Sequence, residues 1–214
     1  MEVVLLVVGD QDTASLRAVA GRVRTVAVAD RPERADLDAA LDSVVGSRLG
    51  VVASDAGLGA VVRRLLHRSE LAATPIAILG SPGVRERYGL SGDPVRELLS
   101  GSAAPAGLVR DDHSGVTLNQ AQLQGISGPF GIRAYVEEHE LVNRYARSLT
   151  VRPGAGELVA AVELPGLRRG RSRGGRAVTV SCEEARSVID GVEQPRPRTR
   201  CTWWYEPDAW SIYR

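Results

Sequence analysis

The stretch Leu49–Gly80, LGVVASDAGLGAVVRRLLHRSELAATPIAILG, constrains the fold more than any other part of the chain. Gly50-Val51-Val52-Ala53 is a short apolar run, as a strand covered on both faces should be. Ser54-Asp55-Ala56-Gly57 reads as a turn. From there Leu58, Val61, Val62, Leu65 and Leu66 recur at helical spacing, and Pro75–Leu79 is the next strand. Such a βαβ unit aims the helix N-terminus, with its free N–H groups, at whatever lies above the strand ends.

The same alternation precedes it. Val3–Val8 is a continuous strand-like run, and Asp12 or Thr13 is placed to cap a helix running to about Val23. Thr25–Ala29 reads as a strand. Arg31-Pro32-Glu33 opens a helix through Leu37 and Leu41 to Val44, with proline near its first turn. The expectation is an α/β fold, with an N-terminal doubly wound parallel sheet over residues 1–100.

After Leu79 the texture changes. Val84–Leu90 and the segment from Asp93-Pro94 to Leu99 read as short helices, and Gly101–Gly107 as a linker. Beyond it, runs at 108–110, 116–123, 132–136, 148–152, 157–163, 177–181, 187–190, 199–205 and 210–213 alternate with turn signals. A mostly antiparallel β-sandwich domain over 107–214 is expected.

Composition narrows the chemistry. The formal net charge is +1, which gives no global attraction for nucleic acid. All the basic residues are Arg; without Lys there is neither a lysine-bearing phosphate loop nor Schiff-base chemistry. Two cysteines, Cys182 and Cys201, make no disulfide framework, and they are too few for a metal site by themselves. No apolar run reaches membrane-spanning length and no signal peptide opens the chain, so a soluble cytoplasmic protein is expected.

Five segments, in order, resemble the family of diacylglycerol kinases, sphingosine kinases and, more distantly, NAD kinases. Ala53–Val62 (ASDAGLGAVV) is similar to that family's GGDGTLNEVV, and Gly80–Glu86 (GSPGVRE) falls where it has a P-x-G-T-x-N-D loop. Leu118–Gly125, Pro153–Val159 and Val188–Val192 resemble its fNvaslG strand, pddGlLd turn and late DGE turn. The resemblance implies nucleotide in a cleft between the two domains, lined by Ser54, Asp55, Ala56, Gly57, Pro82 and Gly83. It implies transfer of a phosphoryl group from ATP, with Mg²⁺, to a lipid or small-molecule hydroxyl. It also implies a C-terminal domain shorter than usual.

The departures fall on the chemistry. Ala53, Ser54 and Ala56 replace glycines, and an added Cβ pushes back an approaching phosphate. Gly57 lacks the threonine hydroxyl. Pro82-Gly83 stand for Gly-Thr, Arg85-Glu86 for Asn-Asp, Ala155 for an acid and Val192 for Glu. The expectation is therefore a degenerate, non-catalytic binding or scaffold protein with weak or no nucleotide binding, no identifiable catalytic residue and no metal. The alternative is an active kinase whose rearranged site uses Asp55, Glu86 or Glu157.

Other features have two readings each. Asp55 suits a metal or ribose contact, or simply a helix N-cap. Asp111-Asp112-His113 has metal-ligand residue types, yet reads as a solvated hairpin tip. His67 and His139 read as surface residues. The arginines of Leu167–Arg176 suit anionic lipid or nucleic acid, or a solvated hairpin loop without interleaved aromatics. Trp203, Trp204, Tyr205, Trp210 and Tyr213 either present an exposed face for a homodimer or membrane surface, or cover the sandwich core.

Overall fold

The computed structural model describes residues 2–11, 23–166 and 170–214. The helix expected from Asp12 lies outside those residues. The chain divides into two units, one of Met1–Ala106 with Asp208–Arg214, the other of Gly107–Pro207.

In the first unit, β1 (Val3–Val8) lies between β2 (Arg24–Val28) and β3 (Arg48–Val52), parallel to both. The strand β4 (Ile76–Ile78) pairs in parallel with β3, and Ile212 near the C-terminus pairs in parallel with Ile76. Among the described residues, four α-helices accompany the sheet: α1 (Arg34–Asp42), α2 (Asp55–His67), α3 (Pro82–Arg87) and α4 (Pro94–Ser100). Successive residues of β1 face opposite ways. Val8 meets α2, where a Cβ on Gly57 would come within 3.0 Å of its side chain. Leu5 and Val7 pack instead with Leu98 of α4 and with Tyr213. Both faces are covered, which explains the unbroken apolar run.

Helix α1 starts just after its proline. Asp36 reaches back to accept from the Glu33 N–H at 3.3 Å, so Glu33 is the N-cap and Pro32 lies outside the first turn. Asp38 joins α1 to α2, accepting from Arg64 Nε at 2.6 Å and from Arg68 at 3.2 Å. The Arg64 guanidinium holds the Asp38 carboxyl below its usual range.

The second unit is built from antiparallel strands. The expected linker 101–107 is not one: β5 (Ala103–Asp111) begins within it. A Cβ on Gly107 would overlap the Tyr205 ring, so glycine here serves close packing. The run expected at 116–123 is two strands, β6 (Val116–Thr117) and β7 (Ala121–Gly125). They part because the N–H groups of Leu118, Asn119 and Gln120 all turn to the Asp190 carboxylate, at 2.9, 2.9 and 2.8 Å.

Next come β8 (Phe130–Val136) and β9 (His139–Ala146), paired as a hairpin. The sequence hides β9 because Leu141, Val142 and Ala146 are its only buried residues. Then β10 (Ser148–Pro153), β11 (Leu158–Glu163) and β12 (Arg171–Gly175) follow. The last corrects the solvated-loop expectation: Arg171 and Arg173 are exposed, but their backbones pair with β11. Residues 167–169 of that stretch lie outside the described residues.

The runs 177–181 and 187–190 are one strand, β13 (Ala177–Ile189), irregular between Ser181 and Ala185. Before the irregularity it pairs with β8, and after it with β7. A strand that changes neighbours at a bulge turns a sandwich corner. β14 (Val192–Glu193) follows the Asp190-Gly191 turn, where both residues have positive φ. β15 (Arg198–Tyr213) merges the two expected last strands; its first part pairs with β13 in the second unit.

The C-terminal aromatics form no exposed face. Trp203 and Trp210 are fully buried and Tyr213 nearly so; Trp204 is partly covered, with the Arg110 guanidinium 5.6 Å from its ring centre. Among the described residues, the large exposed apolar side chains are Val45, Leu99, Ile126, Tyr145 and Val192, all elsewhere. Among those residues, too, no helix is long and apolar enough to cross a membrane.

Candidate functional site

The two loops singled out by sequence, 53–57 and 80–83, follow the C-terminal ends of adjacent parallel strands β3 and β4. In an open parallel sheet this is the edge where ligands bind. The loops touch. The Ser81 hydroxyl donates to the Ala53 carbonyl at 2.9 Å, and a Cβ on Gly80 would collide with that same oxygen. Glycine is needed at 80 for that approach.

Each candidate residue has a local structural task. Ser54 is extended, with φ −67° and ψ 169°, and its Oγ accepts from the Gly57 N–H at 3.2 Å as the N-cap of α2. Asp55 and Ala56 lie in the first turn, half-buried, with the Asp55 carboxylate favourably placed near the helix N-terminus. Gly57 is buried between Val8 and Ala53. Across the gap Ser81 adopts a left-handed conformation, φ 55° and ψ 62°, which lets Pro82 start α3 directly. Pro82 is exposed and Gly83 half-buried.

Arg85, which replaces the resemblance's Asn, is bound into the fold. Its guanidinium donates to the carbonyls of Ile78 at 2.6 Å and Gly92 at 2.8 Å. It also makes a bidentate pair with Glu97 at 2.7 and 3.0 Å. Glu97 is 7% exposed and was not indicated by sequence, because Val95, Leu98 and Leu99 mark the other side of its helix and its partner Arg85 lies in a different element. Glu86 and Glu157 are exposed, as are His67 and His139.

In the second unit, Asn119 gives its N–H to Asp190, whose carboxylate fixes the loop between β6 and β7. Ala155 and Gly156 form a tight turn, with the Gly154 N–H on Glu157 O at 2.8 Å and Gly156 at φ 82°. Among titratable groups here, burial and the neighbouring Glu183 push the Cys182 thiol up to about 11.

The 53–57 turn departs from a phosphate cradle in two respects. A phosphate cradle presents glycine backbone and free N–H groups. Here the Gly57 N–H already bonds Ser54, and side chains stand at 53, 54 and 56.

No protein-family model matches the chain, and no curated protein sequence matches it. Solved structures do. It is similar to a protein from Bacillus anthracis str. Sterne assigned as a diacylglycerol kinase, with TM-score 0.71 and 11% identity over 100% of this chain and 97% of that one. It is similar to an NAD kinase from Archaeoglobus fulgidus, crystallised with ATP, with TM-score 0.65 and 11% identity over 99% and 93%. A yeast NADH kinase, crystallised with NADH, gives TM-score 0.62 and 10% identity over 100% and 83%. Parallel sheet, antiparallel second unit and these likenesses together establish that the chain has the fold shared by diacylglycerol and NAD kinases.

Proposed function

We propose that this protein is a non-catalytic relative of the diacylglycerol-kinase-like enzymes, a binding or scaffold protein in which Ser54–Gly57 and Pro82-Gly83 contact nucleotide only weakly. One observation carries the reading: the Gly57 N–H, at the helix end where such a fold holds phosphate, is occupied by the Ser54 hydroxyl. The joined carbonyl of Ala53 and the ion pair of Arg85 point the same way, since each commits a loop residue to the fold rather than to a ligand. Losing a few charge-assisted hydrogen bonds costs about 2–4 kcal/mol, which weakens a micromolar site by about 30- to 1000-fold, reaching the millimolar range at the upper end.

Phosphoryl transfer depends on positioning and electrostatic stabilisation. With Ala155 in place of the acid that orients the hydroxyl, and no cradle for the phosphates, the expected rate is negligible. A second reading, an active kinase with a rearranged site, is favoured by one observation: Asp55 sits at the position of the family's aspartate, half-buried in the first turn of α2. Calorimetry with ATP and Mg²⁺, and radiolabel transfer to diacylglycerol, sphingosine or NAD, separate the two. Millimolar or weaker binding and no transfer are expected. Micromolar binding, or transfer abolished by Asp55→Asn, overturns the non-catalytic reading.

A further inference from the structure

The turn between β5 and β6 sits against β15 in the second unit, and three metal-ligating side chains meet there. One donor atom each from Asp112, His113 and Cys201 lies within 4.8 Å of the others. Asp112 Oδ1 is 3.5 Å from His113 Nε2 and 3.5 Å from Cys201 Sγ. A tetrahedral zinc site, with bonds of about 2.0–2.3 Å, needs donors roughly 3.3–3.8 Å apart. Two of the three separations match already. The His113 side chain, 44% exposed, is free to swing and shorten the third.

The backbone around the cluster is fixed. Asp111, 3% exposed, accepts from the N–H groups of His113 at 2.9 Å and Gly115 at 2.6 Å. A Cβ on Gly115 would collide with that carboxylate, so glycine is required there. The Asp112 N–H donates to Thr202 O at 3.1 Å, tying the turn to the strand that carries Cys201. The donors therefore come from two segments far apart in sequence, joined by a backbone bond in addition to the contact between Cys201 and Asp112. Supporting hydrogen bonds of this kind orient ligands in metal sites.

We propose that Asp112, His113 and Cys201 form a zinc-type metal site, with a fourth position open to water, that pins the β5–β6 turn to β15. One oxygen, one imidazole nitrogen and one sulfur suit Zn²⁺ or Co²⁺. Mg²⁺ and Ca²⁺ prefer all-oxygen sets. Coordination takes Cys201 as thiolate, and its proton passes to solvent. The site is separate from the 53–57 and 80–83 loops, so it does not depend on whether those bind nucleotide.

Cobalt reports directly on thiolate ligation. The full chain, stripped with chelator and titrated with Co²⁺, should develop a sulfur-to-cobalt charge-transfer band, saturating at one ion per chain and displaced by Zn²⁺. Cys201→Ser should abolish the band and Cys182→Ser should leave it. Because Cys201 is buried and its replacement risks the fold, His113→Ala provides a surface variant checked by circular dichroism. It should weaken Co²⁺ by at least the roughly 10–100-fold that loss of an outer-shell partner costs. No band in the native chain at millimolar Co²⁺, a band that survives Cys201→Ser, or unchanged affinity in His113→Ala would each overturn the site. The cluster would then be a hydrogen-bonded turn with the Cys201 thiol resting on Asp112.

Discussion

Replacing Glu97 by Ala should destabilise the protein strongly. The side chains of Glu97 and Arg85 are 8% and 11% exposed, and the pair is bidentate. Breaking a buried pair from one side costs about 3–5 kcal/mol, because the partner charge stays buried. Arg85 keeps two backbone carbonyls, those of Ile78 and Gly92, so its charge is partly solvated by the protein. The lower end, about 3 kcal/mol, is therefore expected. Helix α4 also packs Leu98 against β1 and β4, so its loosening would spread into the sheet. Urea unfolding followed by circular dichroism measures the difference, and an Arg85→Leu/Glu97→Leu double variant supplies the control. If the charges serve only each other, the double variant recovers most of the loss, within about 1–2 kcal/mol of the native chain. A Glu97→Ala cost below about 1 kcal/mol would refute the assignment of Arg85 to the fold and free it again for a ligand.

Asp190→Asn should cost roughly 1–3 kcal/mol in urea unfolding, because three N–H groups lose a charged acceptor while asparagine still tolerates the left-handed φ of 48°. Stability should fall as pH rises from 9 towards about 11: the raised Cys182 thiol keeps its proton folded and loses it unfolded, a slope that Cys182→Ser should reduce. Ser54→Gly should cost only a few tenths of a kcal/mol, against about 1 kcal/mol for Ser54→Ala, as thermal unfolding would register. An Ala53→Gly/Ser54→Gly/Ala56→Gly variant should tighten ATP by calorimetry relative to the native chain; no gain would show that the lost glycines are not what weakens the site.

Much of the fold was legible because burial on both faces leaves a strong mark. Val3–Val8 and Gly50–Ala53 are continuous apolar runs, and Leu58, Val61, Val62 and Leu65 are all buried on α2 at the spacing that predicts them. The strands missed or mis-bounded are those whose pairing depends on distant residues. The division between β6 and β7 is set by Asp190, about seventy positions away, and no local pattern records it. Strand β9 is mostly exposed, and β12 is arginine and glycine, so neither carries apolar alternation. The helix starts at Arg34, just after the proline that marked its approach, and Asp36 fixes Glu33 as the N-cap. The βαβ pattern placed Ser54 and Asp55 at the start of α2, while Glu97 and the approach of Cys201 to Asp112 required tertiary structure.

The two loops at the sheet edge share one physical logic. The start of a helix carries unsatisfied N–H groups, which bind an anion or a capping side chain, but a given N–H serves one or the other. At α2 the hydroxyl of Ser54 takes the Gly57 N–H. The neighbouring carbonyl of Ala53 is likewise claimed, by Ser81, and Ser81 is held in a left-handed conformation that the short helix α3 needs for its start. Behind them, Arg85 anchors α3 to α4 through Glu97. Each of these bonds commits a polar group of the loops to the fold. On the reading proposed above, a nucleotide would have to displace these contacts before it could bind there. Weak nucleotide binding would then follow both from these internal bonds and from the side chains that stand where the resembling family has glycines.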